Sequence, residues 1–273
     1  MQFHIIPPCA ELAPYVRHYW VLESCAEEGN IRERVVSNDS IELMFHYRKP
    51  FQSLNAANEV SSQPQSIISG LNNSWFDVST QGAAGAIAVS FLPGTAYNFF
   101  RFPLVDIAGK NLHLADVIKH EAMHLEEKIG NATSIQQRVK TIEQFLLKRI
   151  HPMAMYDSRL INQGITYIKQ YGGQIRAYEL SQKLSITPKS LERKFATYVG
   201  KSPKQFIKII RLQEAMKYLS AAHPGSLTQF ALANGYFDQS HFIKDFKTWS
   251  GYTPKELLSQ KHGTDIPKKS DHF

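Results

Sequence analysis

The sequence predicts an α+β protein of two domains: a β-rich N-terminal domain with helices over residues 1–150, and an all-α domain over residues 151–260. A chain of 273 residues is long enough to bury two separate cores. The apolar residues repeat with period two early in the chain and with a helical period later. Pro152 interrupts the helical pattern between the two regions. We expect the last residues, 261–273, to form a flexible tail.

Strand patterns dominate the beginning of the first domain. Residues 41–47 place their bulky apolar side chains at odd positions, which is typical of a strand with one buried face. Ile87, Val89 and Phe91 repeat this pattern before Pro93-Gly94, a pair that favours a turn. We interpret both segments as strands with one buried face.

A helix is predicted at the end of the first domain. Its apolar residues fall on one stripe, and Thr133 or Ser134 is the candidate N-cap. The stripe needs a partner surface. Two interpretations remain: it packs against its own domain, or helix 134–150 forms the seam of a homodimer. The stripe consists of Ile135, Val139, Ile142, Leu146 and Ile150.

The second domain is predicted to be helical throughout, and short residue patterns indicate where its helices begin and end. Thr187-Pro188, Ser202-Pro203 and Thr253-Pro254 each place a hydroxyl at the N-cap and a proline at the first helical position. Gly200 and Gly251 fall where a helix end favours a left-handed residue. Residues 203–220 form a continuous helical stretch between these signals.

The second domain contains an internal repeat. Each copy consists of a short helix, a tight turn and a second helix: residues 175–183 lead into a helix from Thr187 to Gly200, and residues 227–234 lead into one from Asp238 to Ser250. Ser181 and Ala231 are small where two helices would cross closely. This pattern predicts two helix-turn-helix units. At an offset of 51 residues the pairs include Leu191 with Phe242, Arg193 with Lys244, Phe195 with Phe246, Gly200 with Gly251, and Pro203 with Pro254.

The outward residues of the two second helices are long and rich in hydrogen-bond donors, and their domain is basic. Residues 151–273 contain 18 Lys and Arg against 9 Asp and Glu, whereas residues 1–150 contain 13 against 15. A DNA major groove admits one α-helix, so we expect double-stranded DNA as the partner. A non-specific nucleic-acid binder is the weaker alternative. The candidate DNA-contacting residues are Lys189, Glu192, Arg193, Gln239, Ser240, His241 and Lys244.

The repeat resembles the AraC/XylS transcription regulators. Residues 227–257, which include Gly235-Tyr236 and the run from Asp238 to Phe242, are similar to the C-terminal signature of that family, and residues 175–206 are similar to its first helix-turn-helix. Ser185 stands where the family has a turn glycine. The resemblance implies a seven-helix domain that regulates transcription at promoter DNA, most often as an activator contacting RNA polymerase.

The first domain more weakly resembles the sensor domain of some AraC-type regulators, through residues 10–16, 33–36 and 91–94. That likeness implies a β-rich domain, in one form cupin-like, for dimerisation or for sensing a small-molecule effector. Trp20, Phe45 and His46 lie on or near the predicted strands, and we expect them either to line a sensor pocket or to belong to the core.

One motif in the first domain favours a different function. Residues 120–124, HEAMH, fit the pattern in which His120 and His124 bind zinc and Glu121 activates water. A metal-dependent hydrolase with an accessory DNA-binding domain is therefore the alternative. No third ligand motif follows, so we expect no metal site.

The sequence carries no other signature of an enzyme or a membrane protein. It contains neither a phosphate-binding loop nor a nucleophile elbow, and its two cysteines exclude a disulfide scaffold. It shows no apolar run of membrane length, and its first residues do not place a basic head before an apolar stretch. We therefore expect a cytoplasmic protein that is not an enzyme and holds no cofactor.

Overall fold

The computed structural model describes residues 2–25, 30–54, 59–220 and 226–260, so the expected tail 261–273 lies outside the described residues. It confirms an α+β fold, in which the described residues form ten strands in the first part of the chain and mainly helices in the second. The strands are β1 Gln2–Ile6, β2 Val16–Glu23, β3 Asn30–Val35, β4 Glu42–His46, β5 Gln52–Leu54, β6 Val60–Ser62, β7 Ser66–Ser69, β8 Phe76–Gln81, β9 Gly85–Phe91 and β10 Asn111–His113.

The strands form two sheets, and the pairings between these strands are antiparallel. One sheet has the order β1-β2-β9-β4-β7-β10, and the other has the order β3-β8-β5-β6. In β9, Ile87, Val89 and Phe91 pack into the main core, as the period-two pattern predicts. The expectation of a single buried face is wrong, because Ala86 and Ala88 on the other face are also buried, in a second cluster beneath the smaller sheet. β9 lies at the centre of the larger sheet and is covered on both sides.

Helices cover the outer side of the larger sheet. They are α1 Tyr97–Phe100, α2 Leu114–Ile118, α3 His120–Asn131 and α4 Ile135–Arg149, with a 3-10 helix at Leu104–Ile107. The cap of α4 is Ser134, whose hydroxyl accepts a hydrogen bond from the Gln137 N–H at 3.2 Å. Val139, Ile142 and Leu146 are buried in the core. The buried part of this stripe therefore packs within its own chain, and a homodimer through helix 134–150 stays a prediction.

The chain is not helical from Ile150 to Ala154, the segment that follows α4. Residues from Met155 to Gln260, as far as they are described, form seven helices. Among the described residues, no helix is both long and apolar enough to span a membrane. The seven helices are α5 Met155–Gln170, α6 Ala177–Lys183, α7 Pro188–Tyr198, α8 Pro203–Ser220, α9 Leu227–Ala233, α10 Gln239–Ser250 and α11 Pro254–Gln260.

Candidate nucleic-acid interface

The first helix-turn-helix unit consists of α6, the turn 184–187 and α7. The Thr187 hydroxyl accepts a hydrogen bond from the Ser190 N–H at 3.2 Å, which confirms the predicted cap. Leu191 and Phe195 bury one face of α7, and Ser181 is buried on α6. A large side chain at Ser181 would separate the two helices, so the small residue sets how closely they cross.

The second unit consists of α9, the turn 234–238 and α10. Asp238 caps α10 by accepting a hydrogen bond from the His241 N–H at 2.7 Å. Phe242 and Phe246 bury one face of α10, and Ala231 is buried on α9. Both predicted units are therefore present, with their predicted caps and their predicted buried faces.

The two turns differ by one residue. After each first helix, a residue takes a left-handed backbone: Ser185 with φ 53° in the first unit and Gly235 with φ 75° in the second. The N–H of the following residue, Ile186 or Tyr236, returns to the carbonyl of the small helix residue. In the second turn Phe237 is then inserted before the cap, and it is 87% exposed.

The structure places the predicted DNA-contacting residues on the outer faces of α7 and α10. Gln239 departs from this pattern. It is half-buried, and its side-chain oxygen accepts a hydrogen bond from the Thr228 hydroxyl at 2.6 Å, which fastens α10 to α9. The exposed members are Lys189, Glu192, Arg193, Ser240, His241 and Lys244.

Lys194, next to Arg193, is turned away from this surface. Its ammonium pairs with Asp157 on α5, and the Tyr198 hydroxyl donates to the same carboxylate at 2.7 Å. Burial raises the pKa of Asp157, but the bonds from Lys194 and Tyr198 outweigh it and hold that pKa below its ordinary value. Asp157 therefore stays charged at neutral pH and fixes α7 against α5.

Sequence reasoning missed Phe237 as a surface residue of the interface. It lies directly before the cap of α10, beside exposed Ser240 and His241 in the chain. The comparison at an offset of 51 residues aligns α7 with α10 but hides the extra residue in the turn, because the first helices align at an offset of 50. A separate comparison of α6 with α9 would have revealed the insertion.

The ends of both recognition helices contact the same segment of the first domain, residues 73–77. After α7, the Lys201 ammonium donates to Asn73 Oδ1 at 2.6 Å. After α10, the Gly251 carbonyl accepts from Arg34 at 3.2 Å. A Cβ atom on Gly251 would come within 2.6 Å of Trp75, so only glycine allows this approach.

Arg34 is the centre of the contact with the second unit. Its guanidinium lies 3.7 Å from the centroid of the Trp75 ring and 4.2 Å from that of Tyr252. It also donates to Asp77 at 2.8 Å. The guanidinium is attracted electrostatically to the faces of both rings, and its hydrogen bond to the carboxylate is strengthened by the opposite charges. This contact joins β3 to the corner after α10.

A third contact joins the first domain to α5 and α8. The carboxylate of buried Asp39 forms ion pairs with the Arg17 guanidinium at 2.8 Å and with the Lys169 ammonium of α5 at 2.6 Å. The amide of Gln213 on α8 donates to it at 3.4 Å. Burial raises the pKa of Asp39, yet the two cations outweigh that effect and lower the pKa below its ordinary value.

A cavity lies between the two sheets of the first domain. Trp20 lines it, as predicted for a sensor pocket. Phe45 and His46 do not line it. Phe45 points to the opposite face of β4 and belongs to the main core. Core packing, the other of the two expectations, therefore describes Phe45, because alternation along a strand shows two faces without showing which one meets a cavity.

His46 is on the cavity side of β4, behind Phe51. The two ring centroids are 4.9 Å apart. Burial lowers the pKa of His46, against the opposing hydrogen bond between its Nδ1 and the Pro64 carbonyl at 3.0 Å. The ring is therefore neutral at neutral pH, and Nδ1 carries the hydrogen because a carbonyl can only accept.

The HEAMH motif lies on the exposed side of α3. His120, Glu121 and His124 are exposed, and Glu121 accepts from Arg149 at 2.5 Å. Among the described residues, no group of three or more His, Cys, Asp or Glu is arranged to hold a metal ion. The geometry around the motif does not favour the hydrolase alternative.

Comparison with known families gives two matches along the chain. Residues 180–260 match the family described as a helix-turn-helix domain. Residues 4–113 match a domain of unknown function, DUF6597. The first match covers both units described above, and the second covers the two sheets with their cavity.

Several curated proteins of similar sequence are named as transcriptional regulators. An uncharacterized HTH-type transcriptional regulator of Haemophilus influenzae is 26% identical over 53% of this chain and 49% of its own length. The transcriptional regulator ArgR of Pseudomonas aeruginosa is 29% identical over 31% of this chain and 26% of its own. The activator RhaS of Pectobacterium carotovorum is 28% identical over 33% of this chain and 32% of its own. The chain thus spans half or less of the length of these relatives.

Two solved structures are similar in outline. ToxT from Vibrio cholerae O395 is 12% identical, covers 89% of this chain and 99% of its own, and has a TM-score of 0.47. A probable AraC family regulator from Rhodopseudomonas palustris is 30% identical over 37% of this chain and 96% of its own, with a TM-score of 0.34.

Two capped units with buried seams and exposed, donor-rich second helices define a DNA-binding protein of the helix-turn-helix class. Residues 180–260 form a helix-turn-helix domain of the AraC type. The resemblance seen in the sequence is thereby confirmed.

Proposed function

We propose that this protein regulates transcription by binding a specific promoter sequence with α7 and α10 in two successive major-groove segments. The observation that carries the proposal is the pair of helix-turn-helix units, each with its donor-rich face exposed. Arg193 and Lys244 occupy equivalent positions on the two helices and are both exposed. Arginine and lysine at such positions bind guanine edges or phosphates.

The helix between the units supports reading of two groove segments by one chain. α8 is 18 residues long, which corresponds to about 27 Å at 1.5 Å per residue. Successive major-groove windows on one face of DNA are roughly 34 Å apart. A rigid helix of this length is suited to hold two recognition helices in register with the duplex.

The first domain is proposed as the sensor. Its cavity offers a ligand site. Its residue Asn73 contacts Lys201 after α7, and its residue Arg34 contacts Gly251 and Tyr252 after α10. A ligand that changes these contacts would change how the two helices are presented to DNA. Activation through RNA polymerase, which the family resemblance implies, stays a prediction, as do self-association through helix 134–150 and a cytoplasmic location.

Genomic footprinting with the intact protein tests the proposal, followed by gel shifts on the bound fragments. We expect a preference of at least roughly 10³ over random DNA, which a non-specific binder would not show. Arg193→Ala and Lys244→Ala should each cost about 1–3 kcal/mol of binding free energy if the residue contacts a base, with specificity relaxed at that position. Lys140→Ala removes an exposed charge from α4 and is the control. Equal binding to all fragments would refute specific recognition.

A further inference from the structure

Arg34 of β3 connects the first domain to the end of α10 through four groups. Two of them belong to the first domain: the Trp75 ring, 3.7 Å from the guanidinium, and the Asp77 carboxylate, which accepts at 2.8 Å. The other two follow α10: the Tyr252 ring at 4.2 Å and the Gly251 carbonyl at 3.2 Å. A guanidinium combines flat faces with several N–H donors, so one side chain can make all four contacts.

The end of α7 is attached to the same domain by contacts of a different kind. The Tyr198 ring packs edge-on against Tyr97, with the ring centroids 4.8 Å apart. The Lys201 ammonium donates to Asn73 at 2.6 Å. A Cβ atom on Gly200 would come within 2.9 Å of a backbone oxygen in the 3-10 helix, so the backbones lie close together. The first domain is therefore a common base for both recognition helices.

The second unit is also attached to α8, but on another side. The Lys208 ammonium pairs with Asp245 at 3.2 Å, and the Tyr218 ring stacks on Phe230 with the centroids 4.2 Å apart. Lys208 is 37% exposed, so water weakens its ion pair. These contacts hold the unit against α8, whereas Arg34 holds the far end of α10 against the first domain.

A second point of attachment matters because a small rotation of α10 is large on the scale of DNA. Ser240 and Gly251 are 11 residues apart, which corresponds to about 16 Å along the helix. A rotation of about 10° around one end moves the other end by about 3 Å, close to the rise of roughly 3.4 Å for one base pair. Binding groups need placement to within about 0.5 Å. An α10 that pivots would therefore lose its register with α7.

We propose that Arg34 is a positioning residue for DNA recognition. It holds α10 in one orientation relative to α7, and it thereby fixes the number of base pairs between the two segments that the chain reads. Arg34 acts through the corner formed by Gly251 and Tyr252 and does not itself contact DNA. The effect on DNA spacing rests on the proposed function, whereas the positioning of α10 does not, so the two are measured separately.

The spacing is tested on the footprinted site with one base pair inserted or deleted between its two segments. Such a change moves one segment by about 3.4 Å and turns it by about 34°. We expect the wild-type protein to bind the shifted sites at least about 100-fold more weakly, and Arg34→Ala to reduce this penalty at least about tenfold. Arg32→Ala is the matched control. Arg32 lies on the same strand and also pairs with Asp77, at 2.6 Å, so its loss should leave the spacing preference unchanged.

The positioning is tested on the full chain without DNA. Spin labels are attached at Arg193→Cys and Lys244→Cys, the equivalent exposed positions of α7 and α10, after both native cysteines are changed to serine. Pulsed electron paramagnetic resonance then gives the distribution of distances between the labels. We expect one narrow distribution, which Arg34→Ala broadens at least about twofold and the control variant leaves unchanged.

Three results would overturn the proposal: an unchanged distance distribution in Arg34→Ala, a specific binder whose penalty for shifted sites is unchanged in Arg34→Ala, or equal effects of Arg34→Ala and Arg32→Ala. Thermal unfolding shows whether each variant is folded. If Arg34→Ala does not fold, Tyr252→Ala removes the opposite side of the same contact and carries the same expectations. A wild-type protein that binds no specific site would refute the regulatory function, and the label distances would still decide whether Arg34 positions α10.

Discussion

The two helix-turn-helix units share one plan, but the ion pair that fastens each recognition helix has its charges exchanged. In the first unit, Asp157 on α5 pairs with Lys194 on α7. In the second unit, Lys208 on α8 pairs with Asp245 on α10 at 3.2 Å. Each residue of one pair is 51 positions from its counterpart. Both units therefore have an ion pair at the same two positions. Which position carries the positive charge differs, because the attraction depends only on the product of the two charges.

The units also differ where they turn and where they meet the first domain. The first unit places a serine, Ser185, in a left-handed conformation and buries Lys201, whereas the second has Gly235 and Tyr252 at the corresponding places. The second unit instead exposes Phe237 in its longer turn. The buried contacts between the two helices are alike in both units. The units differ in the left-handed turn residue, in the residue buried against the first domain, and in the exposed Phe237.

The largest effect is expected from reversing one charge of the first pair. Asp157→Lys places two cations together where both side chains are mostly buried, and it removes the acceptor of Tyr198, so the free energy of unfolding should fall by about 3–4 kcal/mol. Lys208→Asp should cost about 1 kcal/mol or less, because Lys208 is 37% exposed and water screens the repulsion. Urea unfolding followed by circular dichroism measures both.

The double variant Asp157→Lys with Lys194→Asp is the control, since it gives the first unit the charges of the second. We expect it to recover most of the loss, except the part due to the Tyr198 hydrogen bond. Equal losses in Asp157→Lys and Lys208→Asp, or no recovery in the double variant, would show that the two fastenings are not equivalent.

A smaller effect is expected at the corner after α7. Burial lowers the pKa of Lys201 from 10.5 to about 8, because the ammonium loses hydration. Between these two values the unfolded chain binds more protons than the folded chain, so stability should rise as pH increases from about 8. The cost is fully present below that pH. Lys201→Met should therefore raise the free energy of unfolding by about 2 kcal/mol at pH 7 and flatten its rise in alkali.

Tyr252→Phe at the matching corner keeps the ring against Arg34 and carries no such charge, so its stability should follow the wild-type pH profile. Thermal melts of both variants between neutral and alkaline pH make the comparison. A Lys201→Met protein that is less stable than wild type would mean that the bond to Asn73 outweighs the loss of hydration.

Substitutions at the left-handed residue of each turn should change the free energy of unfolding by about 1 kcal/mol, with opposite signs in the two units. Ser185→Gly relieves a left-handed serine and should stabilise the protein by about 0.5–1 kcal/mol, after the extra freedom of glycine in the unfolded chain is counted. Gly235→Ser should destabilise by about 1 kcal/mol. Its added Cβ meets no atom within 4 Å, so the cost is conformational and not steric. Chemical unfolding of the two single variants and of the exchanged pair tests the symmetry.

Local signals made the helical half predictable from the sequence. Thr187, Ser226 and Asp238 cap helices with their own side chains, so each boundary depends on a few neighbouring residues. The outward position of Arg193 and Lys244 follows from the buried residues that alternate with them at helical spacing. Their contact with DNA stays a prediction.

Long-range packing made the first domain harder to predict. The residues that face Trp20 across the cavity, such as Phe76 and Glu33, come from a second sheet whose pairing no local pattern reveals. The same limit explains why the sequence could not assign Phe45 to the pocket or to the core. The contacts of Lys201 and Arg34 between the two halves were not foreseen either, because they depend on how two finished surfaces meet.

The smallest effect is expected at Phe237, where the second turn is longer than the first. Its ring is 87% exposed beside the start of α10, so Phe237→Ala should change the free energy of unfolding by less than about 0.5 kcal/mol. If the ring contacts thymine methyl groups in the groove, the variant should bind the footprinted site about fivefold more weakly and lose preference for thymine at one position. Leu232→Ala, which trims an exposed side chain on α9, should leave binding unchanged. Equal losses in both variants would mean that exposed apolar surface, and not the inserted residue, accounts for the effect.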